Sequence, residues 1–266
     1  MSWLQALIIS IVEGITEFLP ISSTAHMKFT NPLIGVKTGG FVDLFEIVIQ
    51  LAAILSVIVL FWKKFMNFKD FRFYIKLIVA VIPALIGGVL LKKHIDNALD
   101  NLTFIAVVMI AGGVLLLFVD RLFTKVEINE EEDISYFKAL MVGCFQVLSI
   151  LFPGLSRSAA TIVGGMSQKL SRSVAAEFSF FLAVPTMFAA SVKSFWDVYQ
   201  DSPQVLSSNN LTILVFGGFI AFIVALLSVK LFIGYVQKHG FKIFGYYRIA
   251  LGIVILVLIY SGVSVS

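Results

Sequence analysis

The sequence predicts an all-α integral membrane protein: a single membrane domain over residues 1–266, an inverted-topology repeat of six transmembrane helices plus two re-entrant helical hairpins. Three observations predict it. Of the 266 residues, 59% are hydrophobic and 14% charged, with 26 Phe, against about 45–50% apolar and about 25% charged in a soluble domain. Several apolar runs approach the ~20 residues that a helix needs to cross the hydrocarbon core, and their Gly, Ala, Leu, Ile and Phe content suits helices better than the ~10-residue dyad pattern of an outer-membrane barrel. Two further apolar runs break off at a proline and restart as a second short segment.

In chain order, residues 3 to 20 come first, ending at Pro20, with a Ser-rich turn and a short segment behind it. Spans follow at about 42 to 62, 73 to 91 and 102 to 123. The acidic stretch EINEEED (127 to 133) is expected to be a solvated connector. Residues 137 to 152 repeat the first pattern and end at Pro153, and spans follow at about 174 to 196, 211 to 233 and 245 to 262. Short interrupted segments of this kind suit hairpins that enter the membrane and return on the same side, with irregular backbone shielded by protein or lining a cavity.

A weak internal repeat supports two halves, about 1 to 128 and 133 to 266. FEIVIQLA (45 to 52) resembles AEFSFFLA (176 to 183), which sets Glu46 opposite Glu177, and Pro20 and Pro153 lie 133 positions apart. Each half holds a hairpin and three spans, an odd number, so the second half is inserted upside down and the two broken tips can meet near the midplane.

Lys and Arg counts orient the chain. The loop around 62 to 76 carries five, that around 120 to 138 three, the 169 to 173 turn two and the 230 to 248 connection four, which makes these cytoplasmic. The alternate loops hold Lys28 and Lys37, Lys92 and Lys93, and Lys193, so both termini fall outside. The N-terminus lacks a basic leader and carries Glu13 and Glu17 where a signal peptide would be apolar, so it is expected to be retained. The single cysteine, Cys144, excludes an intrachain disulfide, and the net charge of +4 includes no basic run that would argue for nucleic acid.

Ionisable groups within membrane segments cost about 2.5–3.5 kcal/mol each and normally face a cavity or a partner. In VEGITEFLPISSTAHM (12 to 27), Glu13 and Glu17 are four apart and share one helix face. Such a pair needs a cation: a divalent metal, an arginine or a shared proton. After Pro20, Ser22, Ser23 and Thr24 have the residue types that cap a helix start, where free backbone N–H groups form an anion site. His26 lies within reach of Ser22 and Ser23 for activation or proton relay.

The second break reads PGLSRSAAT (153 to 161). Pro153 and Gly154 make a tight turn, Ser156, Ser158 and Thr161 supply hydroxyls, and Arg157 is a planar fork suited to bidentate phosphate contact or to a bridge with Glu13 or Glu17. The chemistry suggested is phosphoryl transfer from a lipid-borne phosphate, with the acids holding a divalent ion and a hydroxyl or imidazole attacking. No P-loop, HExxH, GxSxG or Cys/His metal spacing points elsewhere.

VEGITEFLPISSTAHM and PGLSRSAATIVGGM together resemble the undecaprenyl-diphosphate phosphatase family of bacteria, the bacitracin-resistance type, and the likeness includes FEIVIQLAAIL and AAEFSFFLAVP. The resemblance implies an inner-membrane enzyme, open to the periplasmic side, that removes the terminal phosphate of C55 isoprenyl diphosphate with Mg2+ or Ca2+. By position it places the acidic motif on Glu13 and Glu17 and the serine and histidine on Ser23 and His26. The phosphate-binding arginine becomes Arg157, with Ser22, Thr24, Ser156, Ser158 and Thr161 as lining polar positions. Either Ser23 or His26 could be the nucleophile. The partners implied are the isoprenyl diphosphate and membrane lipid, with a homodimer among the allowed states. A transporter or flippase of a phosphorylated isoprenyl lipid is the alternative, since inverted repeats with broken helices are also a transporter plan.

Overall fold

The computed structural model describes residues 1–37, 39–201 and 208–261. Residue 262, the expected end of the last span, and the side chains of Lys92 and Lys93 lie outside the described residues. What is described is helical, with one isolated bridge between Ile128 and Leu170.

The first half runs α1 (Trp3–Thr16), α2 (Ser23–Leu33), α3 (Gly40–Leu60), α4 (Trp62–Phe65), α5 (Phe71–Leu90), α6 (Lys92–Leu99) and α7 (Leu102–Leu122). The second runs α8 (Tyr136–Leu151), α9 (Arg157–Ser167), α10 (Arg172–Asp201), α11 (Ser208–His239) and α12 (Lys242–Tyr260). Their starts follow local chemistry. Ser2 and Gln5 form a reciprocal capping box on α1, and the side chains of Asp70, Asn101 and Ser135 accept N–H groups at the starts of α5, α7 and α8.

α3, α5, α7, α10, α11 and α12 are long and apolar enough to cross a membrane, in agreement with the six stretches predicted, and α1 and α8 are shorter apolar helices. Large apolar side chains such as Leu90, Val89, Phe219, Leu231 and Val257 are exposed on the outside of these helices, the surface expected of a protein solvated by lipid rather than water. Inside, Phe18, Phe73, Phe178, Phe180, Phe181 and Phe241 are fully buried in one continuous cluster. Phe18 and Phe180 meet edge to face with centroids 5.4 Å apart, a favoured aromatic geometry.

The halves interlock. α1 packs on α11, and α3 on both α10 and α11; α8 packs on α5, and α7 runs along α12. Each broken segment is therefore held by a long helix from the opposite half.

Three expectations are corrected. The acidic connector is not simply solvated, because Glu131 is buried. Its carboxylate sits 3.3 Å from Lys76 Nζ and 3.0 Å from Lys64 Nζ, and Lys76 also donates to the Glu131 and Glu132 carbonyls at 2.8 Å each. Lys76, counted above as a loop charge, is thus a buried partner. Arg248, counted with the cytoplasmic charges of the 230 to 248 connection, is fully buried inside α12.

Candidate functional site

The two interrupted segments have the same local build. α1 ends at Thr16, Glu17 continues helical geometry with its N–H on the Glu13 carbonyl, and after the break Ser22 caps α2 from the left-handed region at φ 70°. In the second half Ser156 caps α9 at φ 76°. Each serine Oγ accepts the N–H three residues on, from Ala25 and Ala159 respectively, at 3.3 Å. Positive φ at a residue with a Cβ costs about 1–3 kcal/mol and survives where surroundings over-determine it, commonly at functional sites. Gly154, at φ +97°, faces the Ile105 carbonyl so closely that a Cβ would lie 2.5 Å from its oxygen.

The tips meet. Ser158 Oγ donates to the Leu19 carbonyl at 2.8 Å, and Arg157 Nη2 donates to Glu17 Oε1 at 3.3 Å. Arg157 also donates from Nη1 to the Ser179 carbonyl at 3.0 Å and lies over the Phe18 ring, 5.7 Å from its centroid. The other oxygen of Glu17 accepts the Ser23 hydroxyl at 2.5 Å. One carboxylate thus joins a serine of the first break to the arginine of the second.

Glu13 is buried one turn before Glu17, and its Oε1 has no hydrogen-bond partner among the described residues. Glu13, Ser23 and Thr24 line a cavity of about 670 Å³ that continues past Lys28, Asp43 and Glu46. Its lining also includes Val36, Leu99, Leu102, Ser194 and Val198, residues in or beside the loops poorer in Lys and Arg. A second cavity, of about 520 Å³, lies at the other end of α10 beside the Asp120–Arg172 ion pair, away from the tips.

The remaining polar positions are engaged differently. Ser156 and Ser158 share a hydrogen bond at 2.9 Å, and Thr161 bonds the Arg157 carbonyl and Ser179 Oγ at 2.9 and 2.6 Å, so these hydroxyls brace α9 against its surroundings. His26 is not joined to Ser23. Its Nδ1 lies 2.7 Å from the Ser22 carbonyl, which can only accept, so that nitrogen carries the proton. In the neutral ring Nε2 then accepts the Tyr247 hydroxyl, also at 2.7 Å. Two contributors went unread in the sequence: Tyr247 and Arg248, both on α12. The available signal was an arginine followed by an uncharged apolar run, which marks an intramembrane charge rather than a loop charge.

Among the described residues no group of three or more metal-ligating side chains is present. The acid pair still fits a divalent cation, because Glu13 offers a buried unpartnered oxygen beside Glu17 and the Ser23 and Thr24 hydroxyls at a cavity wall. Mg2+ commonly takes one or two carboxylates and completes its shell with water and substrate phosphate.

Residues 6–254 match the family described as bacitracin resistance protein BacA. The chain is 51% identical to the undecaprenyl-diphosphatase of Flavobacterium psychrophilum, over 97% of this chain and 96% of that protein. It is 46% identical to the undecaprenyl-diphosphatase of Porphyromonas gingivalis over the full length of both, and 42% identical to that of Bdellovibrio bacteriovorus over 98% of each.

Proposed function

Because the chain belongs to the bacitracin resistance protein BacA family, we propose that the junction of its two broken segments is where it acts as an undecaprenyl-diphosphatase. The protein is a multi-pass membrane phosphatase that hydrolyses undecaprenyl diphosphate to undecaprenyl phosphate and inorganic phosphate, recycling the carrier lipid for cell-wall synthesis.

The observation that carries the site is the Glu17 carboxylate, which holds the Ser23 hydroxyl on one oxygen and the Arg157 guanidinium on the other. Ser23 is the nucleophile in this reading, since its Oγ is already bonded to a base at a cavity wall, whereas both His26 nitrogens are engaged elsewhere. Ser23 Oγ attacks the terminal phosphorus as Glu17 takes its proton. The bond from that phosphorus to the bridging oxygen breaks, and the lipid monophosphate leaves with the electron pair. Water then attacks the phosphoserine, the serine oxygen leaves and takes back the proton from Glu17, and inorganic phosphate departs as dihydrogen phosphate carrying both protons of the water. Arg157 neutralises charge on the transferring oxygens, and the free N–H groups at the start of α2 bind the phosphate. Mg2+ or Ca2+ held by Glu13 and Glu17 would supply further charge neutralisation. His26 and the hydroxyls of Ser22, Thr24, Ser156, Ser158 and Thr161 shape the two breaks.

The two halves are, in this account, an inverted repeat whose hairpins are re-entrant. Their support is the matched build of α1–α2 and α8–α9 and the crosswise packing on α11 and α5. In this account the protein is an inner-membrane enzyme with its site on the periplasmic side, a reading supported by the cavity's lining by residues in or beside the cation-poor loops. Phosphate release from farnesyl diphosphate by the purified chain in detergent tests the reading. Release that disappears in Ser23→Ala is expected. Metal-dependent binding without release would favour the transporter or flippase instead.

A further inference from the structure

Among the described residues Arg248 heads the large, fully buried side chains and makes no ion pair. A buried charge requires hydrogen-bond partners, and these are four backbone carbonyls. Nη1 donates to Pro20 O at 3.0 Å and to Leu155 O at 2.7 Å, Nη2 to Gly154 O at 2.9 Å, and Nε to Met109 O at 3.1 Å. Breaks in helices leave carbonyls without intrahelical donors. The guanidinium satisfies such carbonyls in both breaks at once, and one nitrogen draws the first and second tips together. Space for it is provided by Gly112, where a Cβ would lie 2.3 Å from Nη2 and 3.0 Å from Cζ.

We propose that Arg248 is a positioning residue of the phosphatase site: by clamping the carbonyls of Pro20, Gly154 and Leu155 it sets the register in which Arg157 faces Glu17 and Ser23. This inference rests on the functional reading above, because it assigns Arg248 an effect only through those three groups. A planar fork is required, since an ammonium on a single point cannot span carbonyls that approach from several directions. Gly112 is part of the same device, as the residue that leaves room for the fork.

The test is a double-mutant cycle on phosphate release from farnesyl diphosphate by the purified full-length chain in detergent, with helicity and monodispersity checked for each variant. Arg248→Gln is expected to lower kcat about a hundredfold, the scale of a roughly 1 Å misplacement of catalytic groups, while KM moves less. In an Arg157→Ala background the same change is expected to cost less than about threefold, because the alignment it maintains is already lost. Equal losses in both backgrounds would mean general support of the fold and would overturn the proposal, as would wild-type kcat for Arg248→Gln. Gly112→Ala, which displaces the fork without removing its charge, carries the same cycle if Arg248→Gln does not fold; a loss of at least about tenfold is expected alone and little with Arg157→Ala. Should Arg157→Ala itself retain wild-type turnover, the assignment of the tips as the active site fails, an outcome distinct from the failure of Arg248 alone.

Discussion

Glu17 and Arg157 lie 140 positions apart in sequence, and Arg157 Nη2 meets Glu17 Oε1 at 3.3 Å. Neither residue is exposed, the side chains being 5% and 14% accessible. Each therefore depends on the other for a counter-charge, and an incoming phosphate would share the arginine with the carboxylate.

Replacing Glu17 by Ala is expected to lower kcat for phosphate release at least about a hundredfold, the scale of losing an acid/base group. Arg157→Lys should be nearly as damaging, because an ammonium does not reproduce the fork that reaches Glu17 and the Ser179 carbonyl together. Steady-state kinetics on folded protein measure both; wild-type kcat in either variant removes that residue from the site.

His26 and Tyr247 should separate. His26→Ala removes the bond to the Ser22 carbonyl in the break as well as the bond to Tyr247, and a loss of about a hundredfold in kcat is expected. Tyr247→Phe leaves the Ser22 bond in place, and its loss should stay below about tenfold. A Tyr247→Phe loss as large as that of His26→Ala would assign the chemistry to the phenol.

The buried ion cluster of the connector should be a stability element. Removing Glu131 strands Lys76 beside two carbonyls, and breaking a buried pair costs about 3–5 kcal/mol, read as a lowered unfolding midpoint of Glu131→Ala in detergent. The neighbouring Glu132 behaves differently with pH. A hydrogen bond from Lys64 holds its carboxyl below the usual range, with help from a backbone N–H. Its contribution is complete above the ordinary glutamate value of about 4.3 and is lost as pH falls through the lowered folded value. Glu132→Gln should therefore lower the midpoint at pH 7 by an amount that shrinks as pH falls below about 4.3, and a difference that stays constant as the pH is lowered through that range would contradict the assignment.

Gly154→Ala should strain the second break, at about 1–3 kcal/mol for positive φ alone, with the contact to the Ile105 carbonyl added. A lowered midpoint together with reduced phosphate release is expected; an unchanged protein would show that the turn can relax.

Much of this arrangement was legible in the sequence because membrane insertion constrains it so strongly. Six apolar runs gave six long helices, and Pro20 and Pro153 marked both breaks, since proline followed by serines ends one helix and caps the next. Glu13, Glu17, Ser23 and Arg157 were readable as charges and hydroxyls out of place in lipid. Arg248 was not, because charge counting treats an arginine near a loop as topological, and only packing shows that its fork turns inward onto carbonyls of both tips. The connector departs from expectation for a related reason: a run of acids is normally solvated, and the buried Lys76 that draws Glu131 inward lies 55 positions away. The partner of His26 is equally remote, as Tyr247 follows it by 221 positions.

The most direct measurement is the location of the transferred phosphoryl group after rapid quenching of the purified enzyme with terminally labelled farnesyl diphosphate. Peptide mapping should find the label as phosphoserine at Ser23. Label on the His26 imidazole, or an undiminished rate of phosphate release by Ser23→Ala, would contradict the account.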